Sequence, residues 1–245
     1  MHCQPYAFIK VYNWLKIKQT CSLCDERVDT PLPLCAECDA ELPWLGPRCQ
    51  ICALPLAVDG LVCGNCLKRP PAFSRVEAPW RYAFPVDALI NRFKHQARWP
   101  IGRLLGDLLA RHLVHAFGEG LPRPDVLLPV PLSPKRQRQR GFNQAQMLAQ
   151  VIGQAVQIPQ RSDWLQRIGD TPAQQKLDAV ARRRNLRGAF AVSPRAQVKA
   201  RHVALIDDVL TTGATAQQLA RLLIRAGAAR VDVYCLARTP APGDH

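Results

Sequence analysis

The sequence predicts an α/β protein, a mostly parallel sheet with flanking helices, preceded by a small cysteine-rich module. Three observations predict it. Short apolar runs bounded by turn residues alternate with stretches of helical periodicity from about Val76 onward, the order that builds a parallel sheet. Four C-x-x-C pairs, Cys21/Cys24, Cys35/Cys38, Cys49/Cys52 and Cys63/Cys66, open every 14 residues near the start. The run from His202 to Gly227 reads strand, loop and helix without interruption.

Taken in order, residues 1–20 place Lys10, Lys16 and Lys18 among Tyr6, Phe8, Ile9, Val11, Trp14, Leu15 and Ile17. There is no continuous apolar h-region and no small-residue cleavage site, so a secretory signal is not expected and the expected setting is reducing and cytoplasmic. A basic amphipathic segment of this kind packs on its own domain or lies peripherally at the inner face of a membrane.

Residues 21–70 carry the cysteine repeat. Each pair forms one knuckle, and two knuckles supply the four thiolates of a tetrahedral zinc site, so two structural Zn²⁺ ions are expected. In a reducing compartment disulfides fit less well. Sequential pairing (Cys21, Cys24, Cys35, Cys38, then Cys49, Cys52, Cys63, Cys66) needs only short loops, and an interleaved cross-brace is the alternative. A closed Cys₄ site keeps no position for water, so this metal would fold the module and not catalyse. Cys3 is left over, and Cys235 sits in an apolar run and reads as a buried thiol.

Lys68-Arg69-Pro70-Pro71 reads as a linker, with a second domain over 75–245. Within it Val76 to Tyr82 reads as a strand or hairpin arm, and Val86 to Phe117 as one or two helices with Lys94, His95 and Arg98 on a solvated face. Asp125 to Val130 is the next strand. It runs into Pro131-Leu132-Ser133-Pro134 and the basic stretch Lys135 to Arg140, read as an exposed coil, and then a helix. Trp164-Leu165, Ala189 to Val192, Val203 to Ile206 and Val231 to Ala237 are expected to complete the sheet.

The net charge is +14, concentrated in Lys135 to Arg140, Arg182 to Arg187 and Arg195 to Arg201. That favours anionic partners, a small polyanion or single-stranded DNA. Trp44, Trp80 and Phe142 lie near basic residues and read as core more than as base-stacking platforms. No apolar stretch is long enough to span a bilayer, and neither a Walker A nor a GxGxxG pattern occurs.

The strand at Val203 ends on Asp207-Asp208 and is followed by Thr211, Thr212, Gly213, Ala214 and Thr215. Small and hydroxyl residues opening a helix suit a phosphate. The carboxylates suit what a phosphate cannot satisfy, sugar hydroxyls or a hydrated Mg²⁺.

This stretch resembles the phosphoribosyl-diphosphate (PRPP) signature of type I phosphoribosyltransferases. The resemblance implies that Asp207 and Asp208 hold ribose hydroxyls and that Thr211 to Thr215 wrap the 5′-phosphate. VPLSPKRQRQRGFNQA, LPWLGPRCQICALPL and RIGDTPAQQKLDAVARRRNLRGAF are similar to blocks of the ComF (competence protein F, GntX-like) branch, with Ala173 and Gly169 departing from its pattern. It implies a double zinc ribbon followed by a type I phosphoribosyltransferase-like domain binding Mg²⁺·PRPP, with Arg138, Arg140 and Arg167 near the departing diphosphate and an unidentified nitrogen acceptor. The branch name links it to DNA uptake in natural transformation, with competence proteins as partners. The rival reading is a non-catalytic single-stranded DNA-binding protein with PRPP as ligand or regulator.

Overall fold

The computed structural model describes residues 19–96, 99–168 and 188–241. The basic N-terminal segment with Cys3, Arg98, and the block from Thr171 to Arg187 lie outside the described residues, and so does the side chain of His95. The chain divides into two compact units, Met1–Leu42 and Pro43–His245, so the two cysteine quartets fall in different units.

In the first unit β1 (Gln19–Thr20) and β2 (Arg27–Val28) form a short antiparallel ribbon. Helix α1 (Ala36–Ala40) follows, and its first turn is tied by the Cys35 thiol, which accepts from the Cys38 N–H at 3.4 Å.

The second unit opens with α2 (Gly64–Lys68) at the last knuckle. The Pro-rich stretch after it is pinned: Ala72 N–H donates to Gln217 Oε1 at 2.7 Å and Ser74 N–H to the Val231 carbonyl at 2.7 Å. The main sheet contains β3 (Arg75–Glu77), β4 (Trp80–Arg81), β5 (Val126–Pro129), β8 (His202–Leu210) and β9 (Arg230–Arg238). Its order is β3-β9-β8-β5, with β4 also on β9, and every pairing is parallel. The sequence run read as one strand from Val76 is two short strands, broken at Ala78-Pro79 because proline cannot donate to a ladder.

Three expectations are corrected. Trp164-Leu165 and Ala189 to Val192 do not join the main sheet: β6 (Leu165–Arg167) and β7 (Phe190–Val192) pair antiparallel with each other. The strand at Val203 does not end on the aspartates but runs through them to Leu210, because β9 offers partners up to Arg238. The basic stretch is helical, as α5 (Pro134–Arg140), because Ser133 caps it by accepting from Arg136 N–H at 3.3 Å, Pro134 sits where a missing N–H costs nothing, and Gly141 closes it at φ 77°.

Helices cover both faces. Helix α7 (Ala214–Arg225) lays Leu219, Ala220 and Leu223 on Val126, Leu128, Val203, Leu205, Val231 and Val233. Each fully buried leucine or valine there contributes about 1.5–3 kcal/mol. Helix α3 (Val86–Gln96) leads into α4 (Trp99–Gly118), which packs on α6 (Gln144–Val156), and α6 covers β5 and β8. A Cβ at Gly106 would stand 2.8 Å from Val151 Cγ1, so glycine sets the approach of α4 to α6.

Candidate functional site

In a parallel sheet the carboxyl ends of neighbouring strands share one edge, where loops gather around ligands. Here β5 delivers α5 and β8 delivers the loop from Thr211 to Gly213. Asp207 and Asp208 stand at adjacent positions near the end of β8, both half-buried. Asp208 N–H donates to Asp207 Oδ1 at 2.9 Å, and Lys94 Nζ pairs with Asp208 Oδ2 at 3.0 Å. The sequence pattern puts Lys94 on a solvated face; it is instead the cation of this carboxylate pair.

Burial pushes the Asp207 carboxyl up to about 7, the adjacent Asp208 charge adds to the rise, and the Asp208 amide and Lys94 oppose it. Burial likewise holds the Arg140 guanidinium below its ordinary range against the pull of Asp208, with Arg136 lowering it further. Arg140 Nη1 donates to Gln144 Oε1 at 3.1 Å. Gln144 is buried and its Nε2 donor has no partner among the described residues. The site therefore brings together two carboxylates, a lysine, an arginine and a buried amide.

The chain then turns. Gly213 adopts φ 72°, a left-handed conformation that a side chain strains, while a Cβ there would meet nothing nearer than Phe73 at 3.9 Å. Its role is the turn, not clearance. It is the N-cap of α7 and has no side chain to cap that helix, whose first amide, Ala214 N–H, donates to the Thr212 hydroxyl. Thr211 and Thr212 are exposed, Thr212 Oγ1 lies 3.4 Å from Ala214 N, and Thr215 is in the first turn.

Arg238 underpins this loop. Its Nη1 donates to the carbonyls of Leu210 at 3.2 Å and Thr211 at 2.7 Å, and its Nε donates to the carbonyl of Cys52 at 2.9 Å. A lone arginine at a strand end carries no sequence signal of such a role. Arg167 lies on β6 with its guanidinium 5.4 Å from the Phe190 ring centre, and Arg138 is exposed on α5. Trp80 and Phe142 are core, while Trp44 packs against Trp80 with the rings tilted and their centres 5.8 Å apart, yet stays 42% exposed.

The cysteines form two quartets, Cys21/Cys24/Cys35/Cys38 and Cys49/Cys52/Cys63/Cys66, the thiols of each within 4.8 Å of one another. The pairing is the sequential one. Cys24 and Cys35, and Cys52 and Cys63, have their sulfurs 3.7 Å apart. A tetrahedral metal with Zn–S bonds of about 2.3 Å would need sulfurs about 3.8 Å apart, so both donor sets fit zinc. Cys63 N–H donates to the Cys49 sulfur at 3.3 Å, as amides do to metal thiolates. Cys235 is buried in β9, and burial raises its thiol.

The family model of the double zinc ribbon domain matches residues 17–67. The chain is 37% identical over 220 residues to DNA utilization protein YhgH of Escherichia coli O157:H7, covering 89% of this chain and 90% of that protein. It is 34% identical over 220 residues to Competence protein F of Haemophilus influenzae, with the same coverage. The chain belongs to the competence protein F family. Among solved structures it is similar to a purine phosphoribosyltransferase from Pyrococcus horikoshii, at TM-score 0.33 and 17% identity, over 55% of this chain and 70% of that one. In this competence protein F family member no helix among the described residues is long and apolar enough to cross a membrane.

Proposed function

We propose that the chain binds PRPP with Mg²⁺ at the edge formed by α5 and the β8–α7 loop, and transfers its phosphoribosyl group to a nitrogen acceptor. The observation that carries this reading is the continuous run of one strand end into one helix start. It sets Asp207 and Asp208, with Lys94 and Arg140 beside them, a short loop ahead of a helix whose N-cap, Gly213, has no side chain to cap it. The helix start suits the 5′-phosphate. The aspartates suit the ribose hydroxyls and the water shell of Mg²⁺, which would neutralise the diphosphate when bound. Two adjacent carboxylates with one close lysine, one of them raised to about 7, form a donor set that fits such a cation. Arg140, held by Gln144, is suited to meet the departing diphosphate, and Arg167 is assigned the same role by resemblance. Catalysis would rest on positioning and charge compensation. The names of the relatives support a setting in DNA utilisation or uptake.

Calorimetric titration with Mg²⁺·PRPP tests it. The Asp207→Asn/Asp208→Asn variant is expected to lose about one to two decades of affinity per charged hydrogen bond removed, at about 1.5–3 kcal/mol each, with its fold intact. No binding by the parent, or equal binding by the variant, would end the proposal.

A second reading, single-stranded DNA binding, is favoured by the exposed Lys135 and Arg138 on α5. Its mark is a log affinity falling against log salt by about 0.7 per neutralised phosphate, flattened by Lys135→Glu/Arg138→Glu. Salt-insensitive binding would remove it.

A further inference from the structure

Positive charge also gathers at the other end of the sheet. A cavity of about 180 Å³ is lined by Val126, Pro159, Arg161, Trp164, Arg195, Gln197 and Arg201. Val126 begins β5 and Arg201 immediately precedes β8, so the cavity opens at the amino ends of the strands. At about 3.3 Å per residue, the length of β8 separates it from Thr211 by about 30 Å.

Three arginines line it, and their backbones are fixed. Leu127 accepts from Arg161 N–H at 3.0 Å while its own amide donates to Pro159 at 2.9 Å, which binds that segment to the edge of β5. Arg195 N–H donates to Ser193 Oγ at 3.3 Å in a turn whose Ser193 N–H donates to the Trp164 carbonyl at 2.9 Å. The Arg201 carbonyl accepts from Ala229 N–H at 2.9 Å, and the Arg201 guanidinium lies over the Trp164 ring at 5.8 Å. Among the described residues no carboxylate lines the cavity and none of the three arginines has an acidic partner: Arg161 Nη1 donates to the Gln160 carbonyl at 3.3 Å, and Asp163 is exposed and is not part of the lining. Three arginines around one concavity, with no carboxylate among its described lining residues, make a positive surface that an anion would neutralise, and the planar fork of arginine matches phosphate oxygens. The volume is below the range of pockets for whole small molecules, so it takes a group and not a nucleotide.

We propose that this cavity is a second anion site, which receives a phosphoryl group on Arg161, Arg195 and Arg201 independently of the β8–α7 loop. The group is either that of a small phosphate compound or a backbone phosphate of a single strand. Arg161→Gln/Arg195→Gln tests it, since both side chains are exposed and the substitution leaves Trp164 and its Arg201 cover in place. Titrations of the full chain with inorganic pyrophosphate are made in the Asp207→Asn/Asp208→Asn background, and with a dT oligonucleotide of about 12 nucleotides in the parent. In the small-compound case pyrophosphate binding weakens about tenfold or more per arginine and the oligonucleotide is unaffected. In the strand case the oligonucleotide's salt slope falls by about 0.7 for each phosphate that an arginine no longer neutralises. If both probes bind the variant as they bind its parent, the site is overturned, whatever the outcome for PRPP at the loop.

Discussion

Asp207 shows how a binding residue is set against stability. An isolated aspartate titrates near 3.9, whereas burial and the neighbouring Asp208 push this one up to about 7. Between those values the folded chain holds a proton that the unfolded chain has released, so stability is lost as pH rises through the window. Asp207→Asn removes the titration. Without added Mg²⁺ the variant is expected to melt several degrees above the parent at pH 8, and to lose the fall in stability between about pH 5.5 and 7.5, on the order of 2 kcal/mol. Thermal unfolding across that range checks it; the same slope in both proteins would contradict it. The same substitution weakens binding in the proposed site, a trade of stability for function. Asp207 and Asp208 are legible in the sequence because adjacent carboxylates before a small-residue loop form a local pattern. Lys94 is not, since its pairing with Asp208 depends on how α3 folds back over the strand end, which no spacing in the sequence encodes.

At the level of elements, local signals are plain in the sequence and their partners less so. Strand, loop and helix from His202 to Gly227 follow from apolar pattern and turn residues, and so does the parallel order. The coil expected at Lys135 to Arg140 fails because its charge masks the capping signals in Ser133, Pro134 and Gly141. The two strands expected in the main sheet pair with each other because apolar runs of two and four residues do not name their partner. Arg238 joins elements that the sequence keeps apart: the knuckle at Cys52, the end of β8 and the end of β9. Arg238→Met would leave the carbonyls of Cys52, Leu210 and Thr211 without this donor while keeping much of the side-chain volume. The expected cost is about 1.5–3 kcal/mol for a charged hydrogen bond, more if several fail together. Because Thr211 begins the proposed phosphate loop, Mg²⁺·PRPP affinity is expected to fall with stability. Arg238→Met that melts earlier yet binds PRPP unchanged would separate the arginine's structural part from any part in the loop.

For the whole molecule the cysteine repeat suggests one module, but its two quartets belong to different compact units. The first is framed by its own short ribbon and α1, with Cys21 N–H donating to Glu26 at 2.7 Å. The second is fastened to the sheet, through Cys52 to Arg238, through Arg48 to the buried Glu77 of β3 at 3.5 Å, and through the Leu45 amide to Pro79 at 2.7 Å. A closed Cys₄ site contributes its binding energy to the folding of whatever surrounds it. The two metals should therefore act on different parts of the fold. Elemental analysis is expected to find close to two zinc ions in the purified chain and close to one in each of Cys24→Ser and Cys52→Ser. Cys52→Ser should lower the cooperative melting of the sheet and, through Arg238, weaken Mg²⁺·PRPP binding. Cys24→Ser should leave both near the parent while exposing the amides of residues 19–42 to hydrogen exchange. Equal damage to the sheet from the two variants would mean that the quartets fold as one body, and zinc-free protein with oxidised cysteines would mean that neither quartet is a metal site.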